Sequence, residues 1–158
     1  MSNHPRLNLG IYLAALVALC DQMSKWVIVS VVMQPPHVVP VTSFLNLVLV
    51  RNRGMIFGLL SHFNPHVVRY VLLAFAAVIL FLLGRWLWHT GSTMVALGLG
   101  FVMGGAFGNV VDRLNYGVVV DFLDFHVFGY HWYAFNLADA AIDLGIALLL
   151  LDSFRKAR

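Results

Sequence analysis

Between residues 67 and 88 the chain reads VVRYVLLAFAAVILFLLGRWLW, apolar apart from Arg69 and Arg85. About 20 mainly apolar residues in a row are what an α-helix needs to cross the hydrocarbon of a bilayer. Three other stretches approach the same specification. Residues 9–32 are interrupted by Asp21 and Lys25, residues 94–111 carry glycines throughout, and residues 136–151 stop before Asp152 and a basic tail. The pattern predicts an all-α membrane protein of four transmembrane helices, at about 9–32, 67–88, 94–111 and 136–151, within a single domain covering residues 1–158. Composition agrees. The chain is 61% hydrophobic and only 11% charged, with a mean hydropathy of +0.85, whereas soluble domains are roughly a quarter charged.

The N-terminal run does not read as a cleaved secretion signal, because no small-residue cleavage site follows and the apolar pattern continues past Asp21. The stretch Leu16-Val17-Ala18-Leu19-Cys20 faintly resembles a lipoprotein cleavage box, but Leu19 is too large for the residue before such a cysteine. The segment is expected to be a retained anchor. Cys20 is the only cysteine, which excludes an internal disulfide. The net charge of +3 comes from scattered bases, so no nucleic-acid surface is expected, and Arg155, Lys156 and Arg158 read as an anchor at the membrane surface.

All seven acidic residues are aspartates, and Asp112, Asp121, Asp124 and Asp139 fall within one short segment. Carboxylates near a bilayer are costly and therefore candidates for function. Alternating spans place the end of the first helix, the start of the second, the end of the third and the start of the fourth on one side. Asp21, Lys25, Arg69, Asn109, Asp112, Asn136 and Asp139 all belong to that side, as do both long connections, residues 33–66 and 113–135. The opposite side holds Arg6, Arg85, Arg155, Lys156 and Arg158, which makes it cytoplasmic by the positive-inside rule. Arg51, Arg53, Arg113, Lys25 and Arg69 nearly balance that count, and the acidic cluster implies that they are paired rather than topological. Gln34-Pro35-Pro36 breaks the first helix. Residues 38–50, β-branched and partly alternating, predict a short strand pair lying on the bilayer surface.

Each polar motif admits a plain reading beside a chemical one. Asp21 and Lys25 are four apart with the acid first, the favourable order for a helical ion pair, and Asp21 is also expected to anchor neighbouring backbone. Gly100, Gly104 and Gly108 repeat G-x-x-x-G, a helix-packing face rather than a nucleotide loop, since no strand precedes it and no Walker lysine follows. Asp112 beside Arg113 suggests an ion pair closing a helix and supporting the site. Asp139 in the first turn of a helix suits the helix dipole, yet Asn136 three residues earlier faces the same side, and Asp121 sits among apolar neighbours. Two carboxyls sharing such a site cannot easily both ionise, the arrangement that activates water in an aspartic protease. Asp124, His126 and His131 raise a metal alternative with Asp121 and Asp139, without any HExxH or paired cysteines. Asp143 is expected to satisfy a neighbouring helix. For a serine mechanism Ser24 has no histidine nearby in its helix, and Ser92 falls at the opposite face. A small non-enzymatic transporter subunit is the other class, but it would need polar groups along the whole bilayer path, and the cytoplasmic halves of the helices are apolar.

Asp21-Gln22-Met23-Ser24-Lys25, Arg51-Asn52-Arg53-Gly54 followed by Phe57, Gly104-Gly105 through Gly108-Asn109-Val110-Val111-Asp112-Arg113, Val119-Val120-Asp121-Phe122 and Phe135-Asn136-Leu137-Ala138-Asp139 together resemble the bacterial lipoprotein signal peptidase (signal peptidase II) family. The pieces span most of the chain in the family's order, departing at Met55-Ile56, where the family more often has small residues. The resemblance implies four spans with both termini cytoplasmic and a site near the outer face of the bacterial inner membrane. It also implies an aspartic endopeptidase that cuts the signal peptide before a diacylglyceryl-modified cysteine, needs no metal or other cofactor, and is blocked by globomycin. By the family's pattern Asp121 and Asp139 are the catalytic pair. Asp21, Lys25, Asn52, Gly54, Asn109, Asp112, Arg113, Asn136 and Ala138 would support the site or bind substrate.

Overall fold

The structure is a computed structural model that describes residues 5–54 and 64–156. Phe57 and the departure at Met55-Ile56 lie outside the described residues. Helix α1 runs Pro5–Val27 and continues through a π-helical turn, Ile28–Val32. Strands β1 (Val39–Pro40) and β2 (Leu45–Asn52) follow, then α2 (Pro65–His89), α3 (Thr93–Tyr116), β3 (Val119–Val127), β4 (Tyr130–His131) and α4 (Leu137–Lys156). The ends follow local chemistry. At α2, Asn64 accepts the His66 N–H at 2.9 Å with Pro65 in the first turn, the usual cap and first-turn residues. Helix α3 outlasts the expected residue 111 and ends at Gly117, whose φ of 74° lets its N–H reach the Arg113 carbonyl at 3.1 Å.

α1 with its π turn, α2 and α3 are each long and apolar enough to cross a membrane. α4 is 20 residues long and carries Asp139, Asp143, Asp152, Arg155 and Lys156, so it is not among them.

α3 is the central helix, and its glycines set the spacing. A Cβ on Gly104 would lie 2.6 Å from the Ala14 carbonyl oxygen of α1, and one on Gly98 would lie 3.0 Å from the Gly145 carbonyl of α4. Any side chain there would push a helix away, so the expected G-x-x-x-G face is a packing face. It contacts α1 through Gly100, Gly104 and Gly108, while Gly98 and Gly105 meet α4. α2 is peripheral. It buries only Val68 and Leu87 and exposes Phe75, Phe81 and Trp86, a face suited to lipid.

The strand pair expected in residues 38–50 is present, with Val39 opposite Leu47. Its extension was not expected. β2 pairs antiparallel with β3 of the other long connection, giving a four-stranded sheet in the order β1-β2-β3-β4. β3 buries Val119, Val120, Asp121 and Phe122 in succession, so both its faces are covered and the two-residue alternation that would announce a strand is lost. Phe122 packs with Ile28 and Met33, seating the sheet on the end of α1.

Candidate active site

The polar ends of α1, α3 and α4 meet under this sheet. Lys25 is the hub. Its Nζ lies 2.8 Å from Asp21 Oδ2 and 2.9 Å from Asp112 Oδ2, and donates to Asn109 Oδ1 at 3.1 Å. All four residues are buried, where an ionised group is tolerated only when paired and hydrogen-bonded. The Asp21–Lys25 pair is therefore as expected, and so is the backbone anchor: Ala138 N–H at the start of α4 donates to Asp21 Oδ1 at 3.0 Å. That bond staples α1 to α4. Gly108 makes room for it, since a Cβ there would sit 2.5 Å from Asp21 Oδ2.

Asp112 does not pair with Arg113. It accepts from Gln22 Nε2 at 2.8 Å and from Val120 N–H at 2.9 Å, in addition to Lys25. Neighbours on a helix point about 100° apart, so Asp112 faces α1 while Arg113 turns to the cavity and donates to the Asn109 carbonyl at 3.3 Å. Gln22, which also donates to the Gly108 carbonyl at 3.1 Å, joins the site beyond the residues that the sequence pattern marks. A glutamine beside Asp21 within an apolar span was the available signal.

Asn136 ties the two proposed reactive carboxyls together. It is the cap of α4. Its Oδ1 accepts Asp139 N–H at 3.0 Å while Asp139 Oδ2 accepts Asn136 N–H at 3.2 Å, a reciprocal capping box. The same residue's Nδ2 donates to Asp121 Oδ1 at 2.7 Å. Asp139 Oδ1 accepts from Asn109 Nδ2 at 2.8 Å, and Asp121 Oδ2 from Asn52 Nδ2 at 2.9 Å. Each of the four carboxyl oxygens thus has a fixed donor. The Asn52 amide is oriented in turn by Gly54, whose N–H donates to Asn52 Oδ1 at 2.7 Å from a φ of +81° that glycine adopts without strain. Asp121 is 2% exposed, and burial first, with the nearby Asp139 charge adding to it, pushes its carboxyl up to about 6 despite the Asn52 and Asn136 bonds. A cavity of about 510 Å³ opens onto Asp121, with Arg51, Asn52, Arg53, Gly54, Leu72, Arg113 and Tyr133 among its lining residues.

The structure thus brings together Asp21, Lys25, Asn52, Gly54, Asn109, Asp112, Arg113, Asp121, Asn136, Ala138 and Asp139. Asp124 stands apart, since three residues from Asp121 on a strand it faces the other side of the sheet. There it meets His131 Nδ1 at 2.9 Å and Asn46 Nδ2 at 3.2 Å. Burial raises its carboxyl, but these two bonds outweigh burial and hold it below the usual range. Among the described residues no group of three or more His, Cys, Asp or Glu is arranged to hold a metal ion. Asp143 departs from expectation. It is exposed and has no hydrogen bond among the described residues, because the stripe of α4 that meets α3 runs through Ala138, Ile142, Gly145 and Leu149. Ser24 bonds back to the Asp21 carbonyl at 2.7 Å, and Ser92 caps α3 and bonds Asp152 at the far end.

Known proteins share this arrangement of helices and sheet. Residues 13–155 match the family described as signal peptidase (SPase) II. Proteins named lipoprotein signal peptidase are similar along nearly the whole chain. One from Methylocella silvestris is 42% identical over 155 residues, covering 98% of this chain and 90% of its own. One from Paraburkholderia phytofirmans is 46% identical over 149 residues, covering 92% and 84%. A solved structure described as a bacterial membrane enzyme, obtained by the in meso method at 2.3 Å, superposes with a TM-score of 0.80 at 28% identity, covering 94% of this chain and 88% of its own. With a match extending from residue 13 to residue 155 and relatives above 40% identity over nearly its full length, the chain belongs to the signal peptidase II family.

Proposed function

We propose that this protein removes signal peptides from prolipoproteins as an aspartic endopeptidase, with Asp121 and Asp139 as the reacting pair. The observation that carries the reading is the shared scaffold of the two carboxyls, in which Asn136 donates to Asp121 and caps the helix that presents Asp139. In this mechanism the two carboxyls hold one proton and a water between them. Asp121, the carboxyl pushed up to about 6, carries the proton. Asp139 takes a proton from the water as its oxygen attacks the scissile carbonyl, and Asp121 delivers its proton to the departing nitrogen. Arg113 and Asn52 line the cavity where the peptide would lie, and Asp21, Lys25, Asn109, Asp112 and Ala138 hold the helix ends in register. The substrate is a diacylglyceryl-modified prolipoprotein cut before the modified cysteine. Its lipid lies in the membrane between helices, so that remote binding energy positions the scissile bond.

The same reading makes α4 a fourth span within one peptidase domain, residues 1–158. Both termini are cytoplasmic and the site lies near the outer face of the bacterial inner membrane. α4 is 20 residues long, and its charges cluster at the two ends apart from Asp143. Globomycin would block the site, by the family's pattern. The test is cleavage of a diacylglyceryl-modified prolipoprotein by the purified protein in lipid, followed by gel shift, for the wild type, Asp121→Asn and Asp139→Asn, with a chelator arm. Folded variants that fail to cut, with chelator having no effect, support the pair. Near wild-type cleavage by either variant removes that residue from the chemistry. Loss of wild-type cleavage on chelation would point to a metal hydrolase instead.

A further inference from the structure

Five bases lie at the end of the molecule that holds the site, and three have partners: Lys25 in the ion-pair cluster, Arg69 donating to the Leu114 carbonyl at 2.7 Å, and Arg113 to the Asn109 carbonyl. Arg51 and Arg53 do not follow the expectation that all were paired. Both are exposed, and neither has a hydrogen bond or ion pair to any described residue. All seven carboxylates of the chain lie among the described residues, and the ion pairs found there all belong to other bases. Two uncompensated guanidinium groups on the face opposite the basic tail run against the usual charge distribution of a membrane protein.

Their setting is specific. Val50 is opposite Asp121 and Arg51 is opposite Val120. Opposed residues of a sheet share a face and successive ones alternate, so Arg51 and Val120 belong to the face turned away from the reactive carboxyl. On that side a cavity of about 570 Å³ is lined by Arg51, Arg53 and Tyr116 together with Val29, Leu49, Val118 and Val120. Val29 belongs to the π turn in which the first span ends, and Tyr116 is the last residue of α3, so the cavity sits where the helices leave the membrane. It combines two cations and a phenol with an aliphatic wall.

We propose that this cavity is a binding site for an anionic phospholipid, with Arg51 and Arg53 holding the phosphate and the glycerol and upper acyl chain lying on Leu49, Val118 and Val120. Guanidinium groups form paired, charge-assisted hydrogen bonds to phosphate oxygens. A lone phosphate would leave the four aliphatic side chains without a role. Arg51 and Arg53 also border the cavity that opens onto Asp121, so the two cavities adjoin along this basic rim, while Leu49, Val118 and Val120 line only the one on the far side. An occupied site would brace β2, whose Asn52 holds Asp121.

The test is native mass spectrometry of the full-length protein in a non-ionic detergent, with equal amounts of phosphatidylglycerol and phosphatidylcholine as probes. The wild type should retain phosphatidylglycerol in preference, Arg51→Gln/Arg53→Gln should retain roughly tenfold less or lower, and Arg51→Lys/Arg53→Lys should fall between. Excess inorganic phosphate should not displace the lipid, and an acidic peptide should not compete. A second measurement needs no variant. A phosphatidylglycerol with a photoreactive group in its acyl chain should label wild-type peptides that contain Leu49 or Val118 to Val120. Equal retention of the two lipids, retention unchanged in the Gln variant, displacement by phosphate or by the peptide, or labelling spread evenly over the helix faces would each overturn the proposal.

Discussion

Replacing Lys25 by Met keeps an aliphatic stem of similar length and removes the one cation shared by two carboxylates. Lys25 is 4% exposed, Asp21 0% and Asp112 1%, so solvent cannot take over the lost interaction. Removing one partner of a buried ion pair costs about 3–5 kcal/mol. At roughly 2–4 °C per kcal/mol for a chain of this size, the melting temperature should fall by about 6–20 °C. The penalty should shrink in an Asp21→Asn background, because only one carboxylate is then left bare and the two changes share a network. Thermal unfolding in detergent, followed by intrinsic tryptophan fluorescence for the two single variants and the double, gives all three quantities. Cleavage should fall as well, since Asn109 loses the Lys25 contact at 3.1 Å while remaining the donor to Asp139. A melting shift below about 3 °C, or strict additivity with Asp21→Asn, would refute the view that these four residues act as one unit.

Gly108→Ala should cut activity more than tenfold, because its Cβ would meet Asp21 Oδ2 at 2.5 Å, whereas Gly84→Ala, with only Met103 Cε at 3.9 Å, should be neutral in the same assay. The contribution of Asp121 to wild-type stability should fall between pH 4 and pH 7. Asp121, raised to about 6 by burial and by Asp139, binds a proton more readily folded than unfolded, so its contribution is fully present below the unfolded value and is lost as pH rises through about 6. Asp121→Asn should flatten that dependence, and melting curves across the range decide it. Ser92→Ala removes both the cap of α3 and the bond to Asp152. It should cost about 1–2 kcal/mol in a melting assay, while cleavage at the opposite end of the helices stays near the wild-type rate.

Hydropathy alone made the long helices legible, since a run such as residues 67–88 is long and apolar enough to cross a membrane. The side on which Asp21, Lys25, Asn109, Asp112, Asn136 and Asp139 gather followed from alternating spans, and the hydrogen bonds among them agree. Helix ends were less legible, because α3 stops by backbone geometry at Gly117 rather than by a change in hydropathy. β3 was hidden, since a strand buried on both faces loses its alternation, and with it went the sheet that presents Asp121 beside Asn52. Arg113, Asp143 and the pair Arg51 and Arg53 were misjudged for one reason: adjacency and charge count do not say which way a side chain points.

What the amino-acid sequence by itself determined is which segments are long and apolar enough to cross a membrane and the residue types available for chemistry, because these depend on local composition and on periods of two or 3.6 residues. Partnership was decided by tertiary structure. That Lys25 answers to two carboxylates, that Ala138 staples α4 to α1, and that Asn136 serves both Asp121 and Asp139 each depend on the approach of helices that glycines on α3 allow. The contact between Ala138 and Asp21 joins residues far apart in the chain, and no local pattern records a distance of that kind.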